Sequence, residues 1–138
     1  MIPAMDPKVA DVFAGFDAEA TKGLTQLRRL RFQVAADTEG VGHVAEVLRW
    51  GQPSYVTPVT KSGSTIRLGV PSGGGFAIFT HCQTTIMSDF AATFPGWDRL
   101  DGNRAILFKD AKDIDPHRHG LLIKAALTYH RKAPTPRV

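Results

Sequence analysis

Between Glu46 and Tyr55 the run EVLRWGQPSY gathers the side chains best suited to hold a small ligand: Glu46, Trp50, Gln52 and Tyr55. Trp50 and Tyr55 are broad rings with one polar atom each, suited to wall a pocket. Gln52 would supply the orienting hydrogen bonds. The segment HVAEVLRW (43–50) reads as a short helix, with Gly51 and Pro53 ending it. On such a helix Glu46 lies one turn before Trp50 on the same face. A buried Glu46 would have its pKa raised and could act as an acid or base; pairing with Arg49 or another base is the competing reading. The structural alternative for the whole motif is a packed helix-to-sheet corner. Trp50 is then a buried ring whose truncation to alanine costs about 3–5 kcal/mol.

Other reactive residues have weaker patterns. His81-Cys82 lies at a strand end, where neighbours point to opposite faces. His117 and His119 open a helix, where residues two apart diverge by about 200°. No HExxH or CxxC spacing occurs, so no residue is singled out as catalytic or as a metal ligand. Cys82 as a nucleophile would need a lowered pKa and a fixed base. PSGGGF lacks the Gly-Lys-Ser/Thr ending of a phosphate loop and joins two strands, so it reads as a hairpin. Lys22, Arg28, Arg29 and Arg31 are basic, but no RNA-binding or zinc-finger signature accompanies them, and nucleic acid is not the expected partner.

These residues must be positioned by one domain, 1–138, with a core spanning about 5–132 and a fraying tail, APTPRV, at 133–138. Apolar residues at 43% and charged residues at 22% exclude global disorder. No apolar run reaches the roughly 20 residues of a membrane span. A secretory signal is not expected at the N-terminus, and the single cysteine fits a reducing, cytoplasmic setting. Charge is uneven. Residues 1–48 hold seven acids and five bases, whereas 49–138 hold six acids and twelve bases. Such an excess can recruit anions, although the bases are scattered singly and a solvated surface explains them as well.

Asp6-Pro7 opens the first helix, with Val9, Val12, Phe13 and Phe16 on its apolar stripe. A second helix is expected from Glu19 to Ala36, with Leu24, Leu27, Leu30 and Val34 inward and Arg28, Arg29 and Arg31 largely off that stripe. SYVTPV, TIRLGV, FAIFTHC and RAILFKD read as strands, and TIMSDFAATF as a short helix stopped by Pro95-Gly96. Asp115-Pro116 caps a last helix with Leu122, Ala125, Ala126 and Tyr129 inward. Turns rather than crossovers join most strands. The expected fold is α+β, an antiparallel sheet covered by helices on one face.

WGQPSY, with Glu46, Trp50, Gly51, Pro53 and Tyr55, resembles the YdhG-like group of small bacterial domains. The Gly-rich hairpin, RAILFKD and the Asp-Pro entry to the last helix extend that likeness over roughly residues 10–132. The resemblance implies a two-layer, frataxin-like sandwich and, in some members, iron delivery by acidic side chains. Asp6, Asp11, Asp17 and Glu19 form no dense acidic ridge in this basic chain. The expected function is therefore a non-enzymatic binding or chaperone-like domain for a small molecule or protein. An iron chaperone and a small enzyme using the Glu46–Tyr55 region are the alternatives.

Overall fold

The computed structural model describes residues 2–131; the expected frayed tail lies outside them, as does Lys132, to which the sequence HRHGLLIKAALTYHRK (117–132) extends the expected last helix, whereas the helix itself ends at Leu127. Helix α1 spans Pro7–Ala14, with the Asp6 side chain accepting the Lys8 N–H at 2.9 Å. Helix α2 spans Ala18–Asp37 and is capped by Asp17, which accepts from the Ala20 N–H at 2.8 Å. Both caps satisfy amides that a first helical turn leaves free. Strands β1 (Ala45–Arg49), β2 (Gln52–Val56), β3 (Ile66–Gly69) and β4 (Phe76–Thr80) follow. Then come helix α3 (Ile86–Thr93), strands β5 (Arg99–Asp101) and β6 (Ala105–Phe108), a 3-10 turn at Ala111–Asp113, and helix α4 (Pro116–Leu127).

Every strand pairing is antiparallel, and the six strands lie in the order β1-β2-β3-β4-β6-β5. Helices pack against one face. The inner face presents Tyr55, Ile66, Leu68, Phe76, Ile78, Ile106 and Phe108, all buried, to Val9, Phe13, Leu24, Leu27, Leu122 and Ile123 of the helices. The fold is the expected two-layer α+β sandwich. At Gly23 of α2 a Cβ would lie 2.0 Å from the Phe76 ring, so this glycine lets helix and sheet approach closely.

Four expectations are corrected. The segment read as a helix at 43–50 is strand β1, because Trp50-Gly51 makes a two-residue turn that pairs Arg49 with Gln52. Both turn residues have positive φ, 52° and 73°, the signature of a type I′ hairpin. Trp50 is therefore not a buried corner ring; it is 84% exposed. Arg28 and Arg31 are buried rather than off the inner stripe, being 5% and 2% exposed. In α4 the inner stripe is Leu122, Ile123, Ala126 and Leu127; Ala125 faces solvent. The three-residue strand β5 escaped a reading based on longer apolar runs.

Candidate functional site

Strand alternation divides the WGQPSY motif between two faces, so its four candidate ligand residues do not line one pocket. Glu46 and Tyr55 are paired on β1 and β2 and point inward. Arg28 donates through Nε to Glu46 Oε2 at 2.6 Å and through Nη2 to Oε1 at 2.9 Å. Tyr55 donates its hydroxyl to the same Oε2 at 2.7 Å, and Arg28 Nη2 also reaches the Pro3 carbonyl at 2.8 Å. The hydrogen bond to Glu46 holds the Arg28 guanidinium above its usual pKa, and burial pushes the Tyr55 phenol upward. Three donors occupy this carboxylate, and its partner is Arg28 rather than Arg49. It is a structural pin, 8% exposed at its side chain.

Trp50 and Gln52 lie on the other side. Arg67 of β3 sits with its guanidinium carbon 5.2 Å from the Trp50 ring centroid and 5.7 Å from that of Phe79 on β4. Gln52 Oε1 accepts from Arg67 Nη1 at 3.0 Å and fixes it there. Gly69 makes room for that amide, since a Cβ there would lie 2.7 Å from Gln52 Nε2. A shallow hollow of about 320 Å³ opens beside these residues and runs to Asp101 and Arg104.

A larger concavity lies elsewhere, an open groove of about 940 Å³. The glycine-rich turn between β3 and β4 forms one wall, and Trp97, Arg99 and the segment around Lys109–Asp115 form the other. Asp98 also lines it. Arg118 donates to Asp98 through Nε at 2.8 Å and Nη2 at 3.2 Å, and His119 Nε2 lies 2.9 Å from Asp98 Oδ1. The Asp115 amide donates to His119 Nδ1 at 2.9 Å, so the ring proton sits on Nε2 and goes to Asp98. Burial depresses the His119 pKa, with the hydrogen bond to Asp98 offsetting part of the fall. Burial alone would raise Asp98; the bonds from Arg118 and His119 outweigh it and hold the carboxyl below its usual range. His119 is fully buried, which makes it a latch rather than a proton shuttle.

The groove's acids are all engaged. Asp98 is held by Arg118 and His119, and Asp101 by Arg104 at 3.1 Å. Asp113 accepts the Lys109 and Asp110 amides, and Asp115 accepts the His117 amide and Arg118. Arg99, Lys109 and Lys112 are exposed and carry no ion pair among the described residues. Trp97, 65% exposed, lies beside them with the Arg118 guanidinium carbon 5.1 Å from its ring centroid. Arg99, Lys109 and Lys112 are thus cations of the groove with no side-chain ion pair among the described residues, next to an open indole, while Asp113, held only by backbone amides, keeps its negative charge among them.

Sequence reading missed this site because its lining comes from three separate segments, 71–75, 97–101 and 107–118, that only the fold brings together. The available signal was Asp115-Pro-His-Arg-His119, whose i,i+4 spacing lets His119 reach back to the Asp115 amide. His81 and Cys82 are exposed, with His81 Nδ1 accepting the Gln83 amide at 3.1 Å. His117 faces solvent while His119 faces the core, so the two diverge as expected. No cluster of three or more histidines, cysteines or acids is placed to hold a metal ion among the described residues. No family model, curated protein or solved structure matches this chain.

Proposed function

We propose that this chain is a non-enzymatic binding domain that takes an anionic ligand in the groove between the glycine-rich turn and the Lys109–Asp115 segment. The observation that carries this reading is the charge accounting. Every carboxylate at the groove has a donor, and Arg99, Lys109 and Lys112 have none of those carboxylates as a partner. Three exposed cations without an ion pair can give an anion charge-assisted contacts beside the amides of the glycine-rich turn. Catalysis is not the favoured reading, because the acid, phenol and imidazole of the interior are all consumed in fixed hydrogen bonds. The YdhG-like resemblance of WGQPSY also supports a binding role, within a cytoplasmic-type domain. It brings the iron-chaperone reading with it as well, but no feature of the groove favours a hard cation over an anion.

Trp97 supplies the readout. Titration with pyrophosphate at low salt is expected to change the indole fluorescence saturably, and Lys109→Ala with Lys112→Ala should weaken the response by at least about tenfold, since charge-assisted bonds are worth roughly 1.5–3 kcal/mol each. An unsaturable response, or one unchanged in the double variant, overturns the assignment of the groove.

A further inference from the structure

We infer that the natural ligand of this surface is a single-stranded nucleic acid, with phosphates in the groove and bases stacked along the uncovered face of the sheet toward Trp50. This rests on the anion-binding reading of the groove and names the ligand class for it. The groove and the shallow hollow share Pro71, Ser72 and Asp101, so the two adjoin and a ligand long enough to cross these residues can occupy both. The hollow leads to Phe79, Arg67 and Trp50, an aromatic–cation–aromatic row. Bases stack on such rings with little sequence preference, and arginine adds cation–π attraction.

Trp50 is the residue that folding does not explain. It occupies the first central position of a type I′ turn with φ at 52°, where asparagine, aspartate or glycine is the low-strain choice. It also leaves a large ring 84% exposed. A strained, solvated indole contributes little to the core, and its cost is explained by a partner that stacks on it. Arg67, which carries no carboxylate partner among the described residues, is pinned beneath it by Gln52.

Size and charge favour a polymer. The five strand intervals from β5 to β1 span about 24 Å at roughly 4.8 Å each, longer than one nucleotide. All of the sheet but β1 belongs to the half of the chain that holds twelve bases and six acids. A duplex would hide its base faces from Trp50 and Phe79, and an acidic peptide would satisfy the cations but leave the rings without partners. No recognition-motif signature pointed here from the sequence, because the row is assembled from turn, strand and strand, and two of the three α2 arginines, Arg28 and Arg31, are buried.

The test is fluorescence anisotropy of a labelled oligothymidylate of about 15 nucleotides, a length within reach of known single-strand sites. Wild-type protein should bind saturably, with affinity falling steeply as salt rises. Trp50→Asn, which suits the turn, and Arg67→Ala should each weaken binding by about fivefold or more. Pyrophosphate quenching of Trp97 should be untouched by Trp50→Asn. Where pyrophosphate binds but the oligonucleotide does not, or ignores both sheet variants, the nucleic-acid assignment falls and the groove stands. Where neither binds, both fall. Polyglutamate binding that is equally sensitive to Trp50→Asn makes the face a docking site for acidic peptide and overturns the proposal. So does self-association of the free protein that Trp50→Asn abolishes.

Discussion

At the scale of single residues the two halves of WGQPSY make opposite contributions. Glu46 neutralises Arg28 in a nearly dry setting, the two side chains being 8% and 6% exposed. Removing one partner of such a pair leaves the other charge uncompensated, at a cost of about 3–5 kcal/mol. Glu46→Ala should therefore lower the urea midpoint sharply. Trp50→Asn should shift it by less than about 0.5 kcal/mol, or raise it, because it relieves a positive φ and removes an exposed ring. A large loss in Trp50→Asn would mean that the indole packs as the sequence suggested. Arg31 is a third case. Its Nε and Nη1 are buried with no hydrogen-bond partner among the described residues, and burial pushes its pKa down to about 10. Its guanidinium carbon lies 5.6 Å from the Tyr55 ring centroid, a partial compensation. Orphaned buried donors cost about 1–3 kcal/mol. Arg31→Met, of similar length, should raise the midpoint; a lower one would contradict the reading of Arg31 as an uncompensated buried charge.

Among the elements, α2 and α4 are locked to the sheet by contacts that substitution can probe. Gly23→Ala would drive a methyl into the Phe76 ring and force helix and sheet apart, an overpacking cost of about 1–3 kcal/mol. Denaturation should show that loss, and a neutral Gly23→Ala would place the helix farther from the sheet. The latch at the start of α4 makes stability pH-dependent in a definite direction. His119 has a folded pKa below its usual value of about 6.5, so the unfolded chain binds the proton more readily. Its stabilising contribution is complete above about 6.5 and is lost as pH falls through the folded value. Asp98, also depressed, contributes above the usual carboxylate range of about 3.9 and is lost at lower pH. The thermal midpoint should fall between about pH 7 and 5, and His119→Gln, which keeps a donor for Asp98, should flatten that limb. A slope equal to wild type in His119→Gln would contradict the latch. Caps and strands of this kind were legible in the sequence: Asp6-Pro7, Asp17, Asp115-Pro116 and the alternation of TIRLGV act through neighbours along the chain. β1 was not, because VAEVLRW satisfies a helical period and an alternating one equally. What decides between them is the Trp50-Gly51 turn and the pairing with β2. The buried Arg28 was equally hidden, since its partner Glu46 lies 18 residues away.

For the whole molecule, the buried side-chain networks and the exposed aromatic rings lie in different places. The inner layer holds the helices, the packed core and the Arg28–Glu46–Tyr55 and Asp98–Arg118–His119 networks. Both tryptophans are exposed, each beside an arginine, Trp50 at the β1–β2 turn and Trp97 at the groove, where Arg99, Lys109 and Lys112 carry no ion pair among the described residues. No helix of the described residues is long and apolar enough to cross a membrane. Because the groove reading rests on charge, binding should weaken as ionic strength rises and the Debye length shortens from about 10 Å at 0.1 M salt. The most direct measurement is a titration of the isotope-labelled protein with pyrophosphate, followed by amide and indole NMR shifts. Saturable shifts are expected at Gly73–Gly75, Lys109, Lys112 and the Trp97 indole, with the amides of α1 unmoved. Shifts that stay linear in pyrophosphate, or that cluster away from the groove, would contradict the assignment of this surface as an anion-binding site.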